Sequence, residues 1–245
     1  MSASQRILKE RRHYNKWVAN QTLEDYALRF TAVSGRHMSI AKVGITALGA
    51  TSFLALESLA AAITLSYGFV NAIWAMLAVC AVLFVTGFPI AYQCAKNGLD
   101  IDLLTRGAGF GYLGSTITSL IYASFTFIFF AIEAAILASA LKALLDIPLS
   151  IGYILCAVAV IPIVTHGITA ISKFQLSTQF VWLVLQISAL AVVISYESEQ
   201  LQGWTEYTVP ALSHSSEFDL ALFGAAVSVL IALVAQIGEQ ADYLR

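Results

Sequence analysis

The sequence predicts an all-α membrane protein with six transmembrane helices, on three observations. Hydrophobic residues make up 59% of the chain and charged residues 11%, against about 45–50% and about 25% in soluble globular domains. Mean hydropathy is +0.79. The apolar residues gather into runs of about 20, enough for a helix to cross a hydrocarbon core of roughly 30 Å, and the runs lack the alternation of barrel strands. Helices satisfy every backbone N–H and C=O internally, as a bilayer demands.

The first run, Val43–Tyr67, carries Gly44, Gly49, Thr51 and Ser52 ahead of Glu57. Small and hydroxylated residues permit close helix approach, or an unwound backbone where it lines a cavity. Ala72–Ala95 is the second run and Ser115–Leu141 the third, with Tyr122, Phe125, Phe127, Phe129, Phe130 and a second acid, Glu133. Phe129 and Glu133 are four residues apart and share a helix face. Leu149–Thr165 closes on Pro162 and His166, an interfacial histidine, and Phe174–Tyr196 is the fifth run. The sixth, Leu220–Ile237, carries Gly224 and Ser228 and leads into Gln236, Glu239 and Gln240, where an inner gate or interface is expected.

Glu57 and Glu133 stand out, since an ionisable group at mid-membrane costs at least about 2.5–3.5 kcal/mol and is a functional-site hypothesis by default. At about 1.5 Å per residue, Glu57 lies roughly 15 Å and Glu133 roughly 12 Å below the outer helix ends, a similar depth. No Lys or Arg lies at that depth in any run. Either both are neutral structural acids hydrogen-bonded to a neighbour, or they hold a cation or the donor groups of a ligand.

Twelve of the thirteen Lys and Arg residues, all but Lys142, fall on one side if the N-terminus is cytoplasmic, which is the positive-inside pattern. The net charge of −2 carries no such information. Residues 1–42 form a basic cytoplasmic segment, either a surface-lying amphipathic helix around Trp17, Leu23, Tyr26 and Phe30 or a tail that only enforces topology. No cleavable signal peptide is apparent there. The opposite loop, Glu197–Asp219, is acidic. Cys80, Cys94 and Cys156 sit in or beside apolar runs and read as small hydrophobes.

No catalytic, zinc, kinase or phosphoacceptor motif occurs, and the basic residues are topogenic rather than gathered for nucleic acid. Gly109, Gly111 and Gly114 have Gly-x-Gly-x-x-Gly spacing. No strand precedes them and a membrane helix follows, so they are expected to serve a tight re-entry into the third run instead of a phosphate.

Tyr14-Asn-Lys-Trp17, the loop Thr105-Arg-Gly-Ala-Gly-Phe-Gly-Tyr-Leu-Gly-Ser115 and Asp242-Tyr-Leu-Arg245 resemble the nucleobase:cation symporter-1 family of purine and cytosine permeases. Leu23-Glu-Asp-Tyr-Ala-Leu-Arg-Phe-Thr-Ala32, Asp102–Gly111 and Gln236-Ile-Gly-Glu-Gln240 look like the permease-like N-terminal membrane region of bacterial hybrid sensor histidine kinases. The resemblance implies a LeuT-type inverted-repeat bundle, of which residues 43–245 are the first repeat plus the sixth helix, truncated at the C-terminus. Such bundles hold ligand between broken first and sixth helices near the midplane.

By that resemblance Glu57, Phe129, Glu133 and Ser228 are the solute-binding residues, and backbone carbonyls around Ala47, Ala50, Thr51 and Ser52 the cation site. Gln236 and Glu239 are gate or interface groups. Phe129 and Glu133 stand where the permeases carry an aromatic and a Gln, and Leu233 where they carry a stacking Trp. The implied partners are the lipid bilayer of a bacterial inner membrane, a small polar solute, and C-terminal PAS, kinase or receiver domains of the same polypeptide. No cofactor is expected beyond a sodium ion or proton as coupling ion. A truncated cation-coupled symporter is the alternative to a sensor.

Overall fold

A computed structural model describes residues 31, 33, 36, 38–49, 52, 54–196, 203–207 and 217–244. Every regular element among them is helical. In order they are α1 (Ile40–Gly49), α2 (Leu54–Tyr67), α3 (Phe69–Asn97), α4 (Ile101–Thr105), a π-type turn (Arg106–Phe110), α5 (Gly111–Leu145), α6 (Leu149–Thr165), α7 (Gly167–Tyr196), α8 (Leu220–Leu230), a 3-10 segment (Ile231–Gly238) and α9 (Glu239–Leu244).

Among the described residues, four stretches are long and apolar enough to cross a membrane: Phe69–Asn97, Ile101–Leu145, Ala170–Ser195 and Leu220–Ala241. The first apolar run is divided. Its halves α1 and α2 meet at 51°, and they add a fifth crossing if the bent pair is one span. The remaining run, Leu149–Thr165, is a helix of 17 residues, about 25 Å long at 1.5 Å per residue. Length and composition thus support four or five crossings, and a sixth rests on this shorter helix.

The interior is built from small residues. Ile63 of α2, Ala72, Ala75 and Val79 of α3, and Ala226 and Leu230 of α8 form one buried cluster. Lipid is as apolar as these side chains, so close packing holds such helices together, and alanine permits it. The α5–α6 hairpin uses the same device, because a Cβ at Gly152 would stand 3.0 Å from that of Ala138. The 3-10 segment lies on α5, with Gly238 against the ring of Tyr122.

Polar residues lock the ends. Asn71, fully buried, donates to the Tyr67 carbonyl at 3.1 Å and accepts from the Asp219 N–H at 2.8 Å. Asp219 in turn accepts from the N–H groups of Ala221 and Leu222 and so caps α8. Asn71→Ala is expected to remove both of these hydrogen bonds and, at about 0.5–1.5 kcal/mol each, to lower the melting temperature of the purified protein; unchanged melting would mean that the clasp carries no stability. At the other end, Arg36 donates to the Ala95 carbonyl at 2.8 Å and to the Thr31 carbonyl, tying the chain before α1 to the last turn of α3.

The glycine-rich loop serves the fold. Gly109 has φ 107° and Gly111 φ 65°, left-handed values that side chains rarely adopt, and they let the chain turn from α4 into α5. Arg106 pairs with Asp102 at 2.7 Å, reaches Ser115 Oγ at 3.3 Å and lies over the Tyr112 ring. Ser119 donates to the same Asp102 carboxylate. His166, expected at an interface, is exposed and sits 2.6 Å through Nδ1 from the Pro162 carbonyl.

Candidate functional site

The break between α1 and α2 organises the site. A helix that begins at Leu54 leaves the N–H groups of its first turn without intrahelical partners. Glu133, reaching across from α5, accepts from the Ala55 N–H at 2.8 Å. A carboxylate at a helix N-terminus also meets the positive end of the helix dipole. Glu57 lies in that same first turn, and its Oε1 accepts from Gln186 Nε2 of α7 at 2.7 Å. The two acids that residue counting puts at similar depth therefore converge on one helix end. On the α1 side, Ser52 donates to the Gly49 carbonyl at 2.7 Å, closing the C-terminal turn before the break.

A cavity of about 570 Å³ opens beside this junction. Ser52 and Leu54 border it at the break; Phe130, Glu133, Ala134 and Leu137 line it from α5, Cys156 and Val160 from α6, and Trp182, Leu185, Gln186 and Ala189 from α7. Its size falls within the roughly 300–1,000 Å³ of small-molecule sites, mostly apolar with few polar groups. Trp182 Nε1 is buried without a hydrogen-bond partner.

α7 contributes more than sequence reading anticipates. Ser172, Gln175 and Gln186 all face the first span. The buried Ser172 hydroxyl accepts from Thr46 Oγ1 at 2.8 Å, the Gln175 side chain packs on Gly49, and Gln186 holds Glu57. Positions 172, 175, 179, 182 and 186 repeat at intervals of three and four, the period of a single face, though Lys173, Ser177, Thr178 and Ser188 also interrupt the apolar surface of this helix. That stripe is visible in the sequence and was the available signal.

The remaining expected residues fall elsewhere. Phe129 stacks on Phe125 at 4.6 Å between ring centroids, while its neighbour Phe130 faces the cavity. Ser228 is exposed and donates to the Gly224 carbonyl within its own helix. Ala47 is an exposed residue of α1. Ala50 and Thr51 lie outside the described residues, as do residues 1–30 with the expected surface helix. Gln236 lies in the 3-10 segment and Glu239 opens α9, where the Glu239 carboxylate accepts from Tyr243 OH at 3.3 Å. Among the described residues, no group of three or more His, Cys, Asp or Glu is placed to hold a metal ion.

A double-mutant comparison tests the Glu57–Gln186 contact. Gln186→Leu is expected to destabilise the protein when Glu57 is present and to cost less in a Glu57→Gln background, with a coupling of about 0.6 kcal/mol, the mean for interhelical hydrogen bonds in membranes. Strict additivity of the two melting shifts would remove the contact from the energetics.

Compared with known protein families, with curated proteins and with solved structures, the chain matches none.

Proposed function

We propose that this chain is the permease-like membrane input region of a bacterial sensor histidine kinase, and that it binds a small polar solute at mid-membrane beside the break in its first span. The observation that carries the binding site is the Glu133 carboxylate, held on the first turn of α2 at the wall of a solute-sized cavity. Irregular backbone at membrane depth is tolerated where it lines a cavity, and interrupted helices are the usual place for transporter solutes. The first apolar run is interrupted near its middle and the last changes to 3-10 winding over Ile231–Gly238. Both interruptions favour the inverted-repeat bundle that the sequence resemblance suggests.

The sensor assignment rests on that resemblance alone. The N-terminus in the cytoplasm and the inner membrane as location belong to the same proposal, on the strength of the basic residues that cluster to one side. Reading the coding sequence beyond Arg245 is the first test: PAS, kinase and receiver segments support a sensor, and four further spans followed by a stop overturn it in favour of a cation-coupled symporter. The second is flux. In proteoliposomes under an imposed sodium or proton gradient, a sensor input region binds solute without gradient-driven accumulation.

A further inference from the structure

The polar groups around the cavity offer more acceptors than donors. Ser52 donates its hydroxyl proton to the Gly49 carbonyl, leaving lone pairs for any third party. Gln186 gives one of its two amide N–H donors to Glu57, which leaves its amide oxygen and its second N–H for a ligand. Glu133 uses one oxygen on the Ala55 N–H, and an ionised carboxylate can only accept. Among the described residues, no Lys or Arg lines the cavity. The Trp182 Nε1–H is a buried donor without a partner, and the Ala55 N–H engages one Glu133 oxygen only, so the other is left to accept from a ligand. Trp182 and Phe130 add aromatic walls, and ring faces attract cations as well as apolar groups.

We infer that the cavity selects an organic cation: an ammonium, amidinium or guanidinium group presented to Glu133, carried on a small apolar body that lies among Phe130, Trp182 and the aliphatic side chains. Anionic ligands are disfavoured for a second reason: the protein's own Glu133 carboxylate already sits on the Ala55 N–H, one of the first-turn donors that would attract another anion. This ligand class rests on the solute-site reading given above.

The test uses three probes of one shape and different charge, namely benzamidinium, benzamide and benzoate, titrated into the purified intact chain in nanodiscs, with tryptophan fluorescence and thermal protection as readouts. Benzamidinium is expected to bind saturably, benzamide at least about tenfold more weakly, a loss comparable to one charge-assisted hydrogen bond, and benzoate not at all. Glu133→Gln is expected to bring benzamidinium and benzamide within about threefold of each other, while Glu133→Asp keeps the preference. If the Gln variant does not fold, Trp182→Phe decides instead, and loss of the fluorescence response to benzamidinium places the cation in this cavity. Equal binding of benzamide and benzamidinium, with the response still dependent on Trp182, would overturn the charge selectivity and leave the solute site standing. No binding by any probe, or a response indifferent to both Glu133 and Trp182, would overturn both.

Discussion

Glu133→Ala is expected to melt well below the wild-type protein, because it strips the Ala55 N–H of its partner in the middle of the bundle. An unsatisfied half-buried donor costs about 1–3 kcal/mol, and the lost interaction of a carboxylate with a helix N-terminus adds roughly 0.3–1 kcal/mol. Glu133→Gln separates the two roles of this residue. Its amide oxygen can still accept from the same N–H, so it should recover most of the melting temperature while losing the charge offered to the cavity. A full thermal series of wild type, Gln and Ala variants checks this order. An Ala variant as stable as wild type would show that α2 needs no cap from α5.

Gly49→Ala carries the other large effect. A Cβ there would stand 2.8 Å from Gln175 Cδ and 2.9 Å from Gln175 Cγ, so either the glutamine moves or α1 lifts from α7. Overpacking of this kind costs about 1–3 kcal/mol. It should also weaken any ligand bound at the break, since Ser52 hydrogen-bonds to the carbonyl of Gly49 itself. Gln175→Ala in the same chain makes room, and the double variant is expected to regain more than half of the lost stability. A double variant no better than Gly49→Ala would mean that the glycine is required for some reason other than its neighbour. Gln175 is informative in its own right, because its Oε1 is buried without a hydrogen-bond partner, so removing the side chain also removes an unsatisfied group.

Much of the outline is legible from residues alone. Leu149–Thr165 is a helix with the bounds its apolar run suggests. The second run is longer than hydropathy implies, reaching Asn97, because Gly98 in a left-handed conformation at φ 67° ends the helix only after the polar Gln93, Lys96 and Asn97 have been included. The glycines at 109 and 111 turn the chain as their spacing suggests. Pairings across the bundle were harder to see. Phe129 shares a face with Glu133 on α5, yet Phe130 lines the cavity, because the wall is set by how α6 and α7 pack and helical period on one element cannot supply that. Gln186 is one polar residue in a long apolar run, and nothing local marks it as the partner of Glu57, 129 positions away.

By itself the sequence determines a helical chain with apolar segments long enough to cross a bilayer, since hydropathy and run length depend only on local composition and on the bilayer's demand that backbone groups bond within their own segment. It also determines that two acids without basic neighbours must find partners inside that apolar environment. Which partners they find is decided only by tertiary structure. The break at Gly49–Leu54 exposes the N–H groups of α2, and α5 and α7 happen to pass at the level where Glu133 can take one and Gln186 can take Glu57. Hydrogen bonds of this kind depend on the packing of helices far apart in the chain, and no local period records them.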